Sequence, residues 1–558
     1  MREGSMSVKK QKLGEFLFDY LYEQGIENAF GIPGDFVLPT VRYLDNSKIK
    51  LYTMTHEPSV GFAADCYARS KGLGLAVVTY CVGGLNMLNS IACAYAEKSP
   101  VIVISGGPSA NDRQKDPMIH HKVRTFDSQR RIYEEVTCAN TVLLDTKKAA
   151  EEIVRVVQAV KKYSRPGYIE VPFDAVDTEI EIPDNIFQIS EAPQSDKDIL
   201  KACIEEITQI INAAKRPVII ADIELHRHKL TDLASELSKK HNIPIAATLM
   251  GKSVVREDNP LYLGVYSGAF SEAHCQEYID NSDCVILLGA FLSDVLLGFS
   301  SQKLSRQKCI TLNTEKAYVG LHTYEYLQLK DILKGLLNAK IERRKDFKNP
   351  KPVNNFTGLE KNSYDDKIDV ESLFNILSTH IKKNDTIVCD TGDALIGAIG
   401  IKTATRSHFF ADAYYLSMGF AAPAAIGAMV ANPASKCFAI IGDGAFQMTG
   451  LELSTTAKYK LAPVVIVINN DGYGTQRHII DGDFNNITMW NYTKTTELIN
   501  YGKSVKVTTK GGLEEALKEA RGYKELYFIE VVVPRDNCSI YLRQMGEAIG
   551  KLRNPDKR

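Results

Sequence analysis

The sequence predicts an α/β protein of three domains, two related parallel-sheet units flanking a different middle domain, and three observations carry that expectation. Apolar strand-like runs alternate with helical stretches along most of the chain. Two polar, aperiodic segments, residues 182–198 and 342–367, divide it into thirds of domain size. The first and last thirds share a grammar. "GFAADCYARSKGLGLAVVTYCVGGLN" from Gly61 and "GFAAPAAIGAMVANPASKCFAIIGDGAFQMTG" from Gly419 each run helix, strand, glycine turn and helix, and each leads to a Pro-led strand.

Taken in order, "GLAVVTY" (74–80) and "PVIVISGG" (100–107) read as buried parallel strands around the helix "LNMLNSIACAYAEK". "RPVIIAD", "IPIAAT", "CVILLGA" and "CITLN" continue the rhythm through the middle third, and "TIVCDTGD", "CFAIIGDG", "APVVIVINN" and "LYFIEVVV" carry it to the end. The expected domains are residues 1–185, 190–345 and 360–558.

Bulk properties narrow the function. A chain of 558 residues exceeds one core, so about two to four domains are expected. A net charge of -1 gives no field to recruit nucleic acid or an anionic membrane, so small molecules and further copies of the chain are the expected partners. Eleven cysteines without a C-x-x-C pair, and no apolar run long enough for a membrane span, point to a soluble protein of a reducing compartment, the cytoplasm. "MREGSMSVKK" has no apolar signal-peptide core, and Gly4-Ser5 ahead of Met6 looks like a cloning scar.

The chemistry concentrates in "CFAIIGDGAFQMTG" (437–450), where a buried strand ends in a carboxylate between glycines. Adjacent parallel strands end at one sheet edge, where ligands of open α/β sheets bind. Asp443 at one tip and Asn470 at the next, 27 residues on, can therefore converge on one cation, with the main-chain oxygen of Gly472 as a further donor. An oxygen-only set suits Mg²⁺ or Ca²⁺, and Mg²⁺ commonly completes its octahedron with phosphate oxygens. Gly442 and Gly444 let backbone approach a phosphate, and a helix expected to begin near Ala445 directs amide donors there.

This Gly-Asp-Gly and Asn-Asn pairing resembles the thiamine-diphosphate-binding motif, and the chain from about residue 8 to 548 resembles the thiamine-diphosphate-dependent 2-keto acid decarboxylases of the pyruvate, indolepyruvate and phenylpyruvate type. "FGIPGDF", "HEPSVGFAADCYAR", "TYCVGGLN" and "MIHHKV" match the family's segments bearing Asp35, the cofactor-activating Glu57, Thr79 beside the thiazolium, and the His120–His121 pair. "DTGDALIG" matches a cofactor and substrate loop through Thr391, Gly392 and Asp393, and "YLSMGF" places Leu416 and the wedge Met418 against the cofactor. Tyr473 and Ala445 join the cofactor-binding set. The resemblance implies a pyrimidine-binding domain, a Rossmann-like middle domain and a diphosphate-binding domain, thiamine diphosphate and Mg²⁺ as cofactors, and a homodimer at least, with a homotetramer as the fuller assembly.

It further implies non-oxidative decarboxylation of a 2-keto acid to an aldehyde and CO₂ through a thiamine diphosphate enamine. Glu57 would activate the cofactor, and Asp35, His120 and His121 would serve the later proton transfers, each worth roughly 10²–10⁴-fold. Structural roles stay open beside these: a Pro-Gly-Asp turn for Asp35, a helix-start carboxylate for Glu57 and a solvated pair for the histidines.

One position departs from the family. After "NNDGYGT" the decarboxylases carry a glutamate, and here stands Gln476, which cannot exchange a proton at working pH. A natural variant relying on the histidines, a deliberate substitution and a chain of redirected or lost activity are all compatible with it. Leu395 and Thr475 stand where pyruvate-specific relatives carry larger side chains, so bulky substrates are expected, with Ile479, Phe484 and the C-terminal "IYLRQMGEAIGKL" able to refill the space. A carboligase of the acetohydroxyacid synthase type and a cofactor-binding pseudoenzyme are the rival readings, the histidine pair speaking against the first.

Overall fold

A computed structural model describes residues 9–553 apart from 184–185, 187–193, 269, 295–296, 299–303, 346, 348–357, 361 and 404–407. Much of both expected linkers lies outside the described residues. Strands are numbered along the chain. A two-stranded antiparallel ribbon joins β1 (Lys9–Lys12) to β8 (Glu179–Ile182). The first large sheet holds β2 (Asn28–Gly31), β3 (Lys50–Thr53), β4 (Gly74–Val78), β5 (Val101–Gly107), β6 (Ala139–Val142) and β7 (Gly167–Pro172), in the order β3-β2-β4-β5-β7-β6.

The last sheet holds β16 (Thr386–Cys389), β17 (Phe409–Ala411), β18 (Cys437–Gly442), β19 (Val464–Asn469), β20 (Lys503–Val507) and β21 (Tyr527–Val532), in the order β17-β16-β18-β19-β21-β20. Both sheets are wholly parallel and follow the same strand order, which is the relatedness that the shared "GFAA" segments led us to expect.

Between them in the chain, β9 (Pro217–Ala221), β10 (Ile245–Ala247), β11 (Tyr262–Val265), β12 (Cys284–Leu288) and β13 (Cys309–Leu312) pair in parallel. β14 (Ala317–Val319) and β15 (His322–Tyr324) extend that sheet antiparallel, turning through Gly320 at φ +56°. These strands of three residues each, β15 at the sheet edge, lack the long apolar run by which the buried strands announce themselves.

Parallel strands covered on both faces explain the continuous apolar runs. In β4, Leu75 and Val77 enter one core while Ala76 and Val78 enter another; in β5, Ile102 and Ile104 oppose Val101 and Val103 in the same way. The stretch expected as one helix after β4 is two, Val82–Asn86 and Leu88–Ala96, interrupted at Met87.

The residues form two compact units. The first contains the first sheet together with Gly419–Ala434 and Thr449–Leu461; the second contains the middle and last sheets. Helix Ala421–Ala431 therefore packs within the first unit, against helix Glu57–Lys71. The contact needs small residues: a Cβ on Gly427 would meet the Ala63 carbonyl oxygen at 2.1 Å. Phe62 and Phe420, the second residues of the two "GFAA" segments, meet edge to face with centroids 5.7 Å apart.

Candidate active site

In the second unit the carboxyl ends of β16, β18 and β19 open onto a cavity of about 450 Å³. Thr391, Gly392, Asp393 and Leu395 reach it after β16, Leu416 and Met418 after β17, Gly442, Asp443, Gly444 and Ala445 at the tip of β18, and Asn470, Gly472, Tyr473, Thr475, Gln476 and Ile479 after β19. The sequence-expected cofactor, cation and pocket residues of this half, Phe484 excepted, line one cavity. Register explains the convergence, since Gly442 pairs with Ile468 and brings the next residues of each strand to the same edge.

Asp443 is buried, accepting the Gly444 amide on Oδ1 at 2.8 Å and the Gly472 amide on Oδ2 at 3.0 Å. Burial pushes its carboxyl up to about 6, against the lowering effect of the Gly472, Gly444, Asp471 and Asn470 amides. The helix here starts at Asp443, two residues before the expected start near Ala445, because the side chain itself engages the amides of the turn. A Cβ on Gly444 would strike the Tyr473 ring at 2.6 Å, whereas one on Gly442 would meet nothing within 4 Å.

The loop after β17 is shaped by Asp412, a residue the sequence reading passed over. It is fully buried, accepts the Leu416 amide at 2.8 Å and the Ser417 amide as well, and so holds Leu416 at φ +59°. A leucine in the left-handed region is uncommon, and the buried carboxylate supplies the hydrogen bonds that keep it there.

Asp393 turns toward the C-terminal segment, accepting the Ser539 hydroxyl at 2.5 Å and the Ser539 amide at 3.2 Å; burial lifts its carboxyl to about 6 despite these bonds. Ser539 precedes helix Ile540–Arg553, whose Leu542, Met545 and Ile549 line the cavity with Leu249. The C-terminal helix thus refills part of the space, as expected, whereas Phe484 is 69 % exposed and is not among the lining residues.

The first unit gathers its own set at the carboxyl edge of its sheet. Asp35 follows β2, Glu57 follows β3, Thr79 follows β4, and His120 and His121 lie in the connection after β5. Glu57 opens its helix, with Pro58 in the first turn, and accepts from Asn86 Nδ2 on Oε2 at 2.7 Å. Thr79 is buried between the loops: a Cβ on Gly34 would meet its side chain at 2.6 Å, and one on Gly83 would lie 3.3 Å from its methyl and 3.8 Å from Glu57 Oε1. Asp35 Oδ2 is hydrogen-bonded to His120 Nε2, and His121 Nδ1 lies 3.9 Å from Oδ1. Desolvation alone would raise the Asp35 carboxyl, but the His120 hydrogen bond, the Phe36 amide and the imidazole charges together place it below its ordinary value.

Because the two sheets share a strand order, the loops after β2, β3, β4 and β5 correspond to those after β16, β17, β18 and β19. Both sets occupy corresponding edges of duplicated frameworks. The donor set fits a metal-bound diphosphate. A buried carboxylate lifted toward neutrality is relieved by a divalent cation, Asn470 lines the same cavity, and the space before Gly442 is open to a phosphate. In the first unit the buried Thr79 hydroxyl has no hydrogen-bond partner.

Three family profiles match the chain: the N-terminal TPP-binding domain of thiamine pyrophosphate enzymes over residues 11–130, the central domain over 204–336 and the C-terminal TPP-binding domain over 390–531. Indole-3-pyruvate decarboxylase of Azospirillum brasilense is 34% identical over 552 residues, covering 97% of this chain and 99% of its own. Pyruvate decarboxylase 3 of Arabidopsis thaliana is 29% identical over 564 residues, covering 97% and 95%, and pyruvate decarboxylase 1 of Pisum sativum 29% over 554, covering 96% and 93%. With profiles of this kind on all three parts and a relative matched along nearly its whole length, the chain belongs to the thiamine-diphosphate-dependent 2-keto acid decarboxylases.

Proposed function

We propose that this decarboxylase acts on bulky 2-keto acids, branched, long-chain or aromatic, releasing the aldehyde and CO₂ with Mg²⁺ and thiamine diphosphate bound. The observation that carries the substrate class is the cavity: Leu395, Thr475, Ile479, Leu542, Met545 and Ile549 line it, and Tyr473 is its one aromatic ring among the described residues. The relative at 34% identity is named for indole-3-pyruvate, which supports the same reading.

When bound, thiamine diphosphate supplies the electron sink that a 2-keto acid needs in order to shed CO₂. Asp443, Asn470 and the Gly472 carbonyl would hold Mg²⁺, with Gly442, Gly444 and Ala445 beside the diphosphate. Thr391, Gly392, Asp393, Leu416, Met418, Tyr473 and Thr79 would position the rings. Glu57, with Oε2 accepting from Asn86 Nδ2, would be the carboxyl group that activates the cofactor. Asp35 is hydrogen-bonded to His120, His121 Nδ1 lies 3.9 Å from the same carboxylate, and the three would carry protons to and from the reacting carbon.

Gln476 faces the cavity with an amide that holds orientation but moves no proton, so turnover is slower than a glutamate would allow. That position favours a second reading, a cofactor-binding scaffold of very low activity. Apolar side chains flanking the first unit's site loops, Val82 at 54 % and Met118 at 92 % exposure, support a homodimer at least, and a homotetramer as the fuller state. Eleven free thiols support a cytoplasmic location; no helix among the described residues is long and apolar enough to cross a membrane.

The test is a CO₂- and aldehyde-release screen over pyruvate, 2-ketoisovalerate, 2-ketohexanoate, phenylpyruvate and indole-3-pyruvate with both cofactors supplied. The bulky acids are expected to exceed pyruvate in kcat/KM. A preference for pyruvate would overturn the substrate class, and acyloin as the main product would favour the carboligase.

A further inference from the structure

Asp35, His120 and His121 offer one carboxylate oxygen and two ring nitrogens that lie within 4.8 Å of one another, the one such trio of metal-binding side chains among the described residues. Three features pre-organise it. Phe36, buried against Tyr80, packs its ring 5.0 Å from that of His120 and 5.7 Å from that of His121. His121 is held at φ +66°, a left-handed conformation seldom adopted by histidine. Lys122 closes the loop next to it, donating to Asp116 Oδ1 at 2.7 Å and to the Pro117 carbonyl at 3.1 Å. His121 Nδ1 is shielded from water and has no hydrogen-bond partner, although it is directed at the carboxylate.

Two imidazoles and one carboxylate make a three-donor set of mixed nitrogen and oxygen, and such sets select borderline transition ions. Metal–ligand bonds of about 2.0–2.2 Å require the three donor atoms to stand roughly 3–3.5 Å apart. Small side-chain rotations therefore suffice: His120 backs away from Asp35, and His121 closes on it. Mg²⁺, which demands oxygen donors, has no reason to compete there.

We propose that Asp35, His120 and His121 form a reversible inhibitory site for a borderline divalent cation, with Zn²⁺ as the type. The ion ties up the ring nitrogens and the carboxylate, so it blocks the groups offered above for proton transfer while leaving the oxygen-only cation site untouched. Binding and inhibition are separate observables, so the inference can be judged whatever the substrate proves to be.

The experiment titrates Co²⁺ and Zn²⁺ into the enzyme already loaded with thiamine diphosphate and excess Mg²⁺. Co²⁺ is followed by its visible absorption, Zn²⁺ by loss of activity and its recovery with a chelator selective for zinc over magnesium. Expected are one Co²⁺ per chain with a nitrogen- and oxygen-ligand spectrum, displacement by Zn²⁺, and affinity reduced at least about tenfold in His120→Gln and in His121→Gln. In the unmutated protein, Zn²⁺ should protect both histidines from diethyl pyrocarbonate, a readout that does not depend on any variant folding. Unchanged Co²⁺ affinity in both variants, thiolate charge-transfer bands, relief by raised Mg²⁺, or absence of protection would overturn the proposal.

Discussion

Arg113, on the helix Ala110–Lys115 that leads to the two histidines, donates from Nη2 to Oε1 of Glu170, a fully buried carboxylate on β7. Tyr168 donates to the other oxygen at 2.5 Å, and Gln129 ties Tyr168 to the Cys81 amide in the turn beside Thr79. Burial raises the Glu170 carboxyl from 4.5 to about 7 although Arg113 and Tyr168 lower it. With the folded value above the unfolded one, the contribution of this group to stability is complete below pH 4.5 and is lost as pH rises from 4.5 to 7. Glu170→Gln should therefore flatten the dependence of Tm on pH across that window. Arg113→Ala removes a partner that lowers the Glu170 carboxyl, so that group should stay protonated to higher pH, and chemical denaturation should show a loss of about 1–3 kcal/mol at neutral pH for the lost hydrogen bond.

Gln476→Glu places an exchangeable proton in the cavity. Decarboxylation on the best substrate should rise roughly 10²-fold or more in kcat, while Gln476→Ala gains nothing. Equal rates for Gln476→Glu and the unmutated chain would show that the role assigned to that position is wrong.

Asp443→Asn removes a charge that burial disfavours, so the cofactor-free protein should melt no lower than the parent at pH 7. The variant should also lose the upward Tm shift that Mg²⁺ and thiamine diphosphate give the parent, a linkage worth about 2.7 kcal/mol at 100 times Kd. Differential scanning calorimetry with and without the two ligands separates the effects.

Leu395→Phe with Thr475→Ile fills the cavity from two sides. The kcat/KM ratio of phenylpyruvate to pyruvate should fall roughly 10–200-fold, the discrimination expected of an apolar pocket that changes by a methylene or more. An unchanged ratio would place substrate selection elsewhere.

Asp412→Ala removes the acceptor that holds Leu416 in its left-handed turn. Affinity for thiamine diphosphate, measured by quenching of intrinsic fluorescence, should drop, and stability should fall by about 1–3 kcal/mol. Leu416→Gly adopts the same turn without strain and should keep more of that affinity than Asp412→Ala does.

Where the sequence spoke clearly, the signal was local. "CFAIIGDG" and "VVIVINN" each announce a buried strand and its tip, and parallel pairing brings the two tips together without any knowledge of side-chain packing. The same logic made the three-part α/β plan and the doubled framework legible, since periodicity and the repeated "GFAA" are properties of short windows.

What stayed hidden depends on contacts distant in the chain. Asp412 is a single aspartate in "FFADAYY", and only the folded turn shows that its carboxylate caps two amides. Glu170 sits inside the strand-like "GYIEVP" with no mark of its partner Arg113, 57 residues earlier. The break at Met87 leaves the helical periodicity intact on either side. Strands of three residues, such as β14 and β15, are too short for a periodicity to register.

Gly427 against the Ala63 carbonyl, with Phe62 edge-on to Phe420, means that each copy of the duplicated segment is partly the mould for the other. A methyl group added to one helix has to be answered by backbone retreat in its counterpart. Substitutions in one of these two helices are therefore tolerated only within the room the other leaves, although some 350 residues of chain separate them.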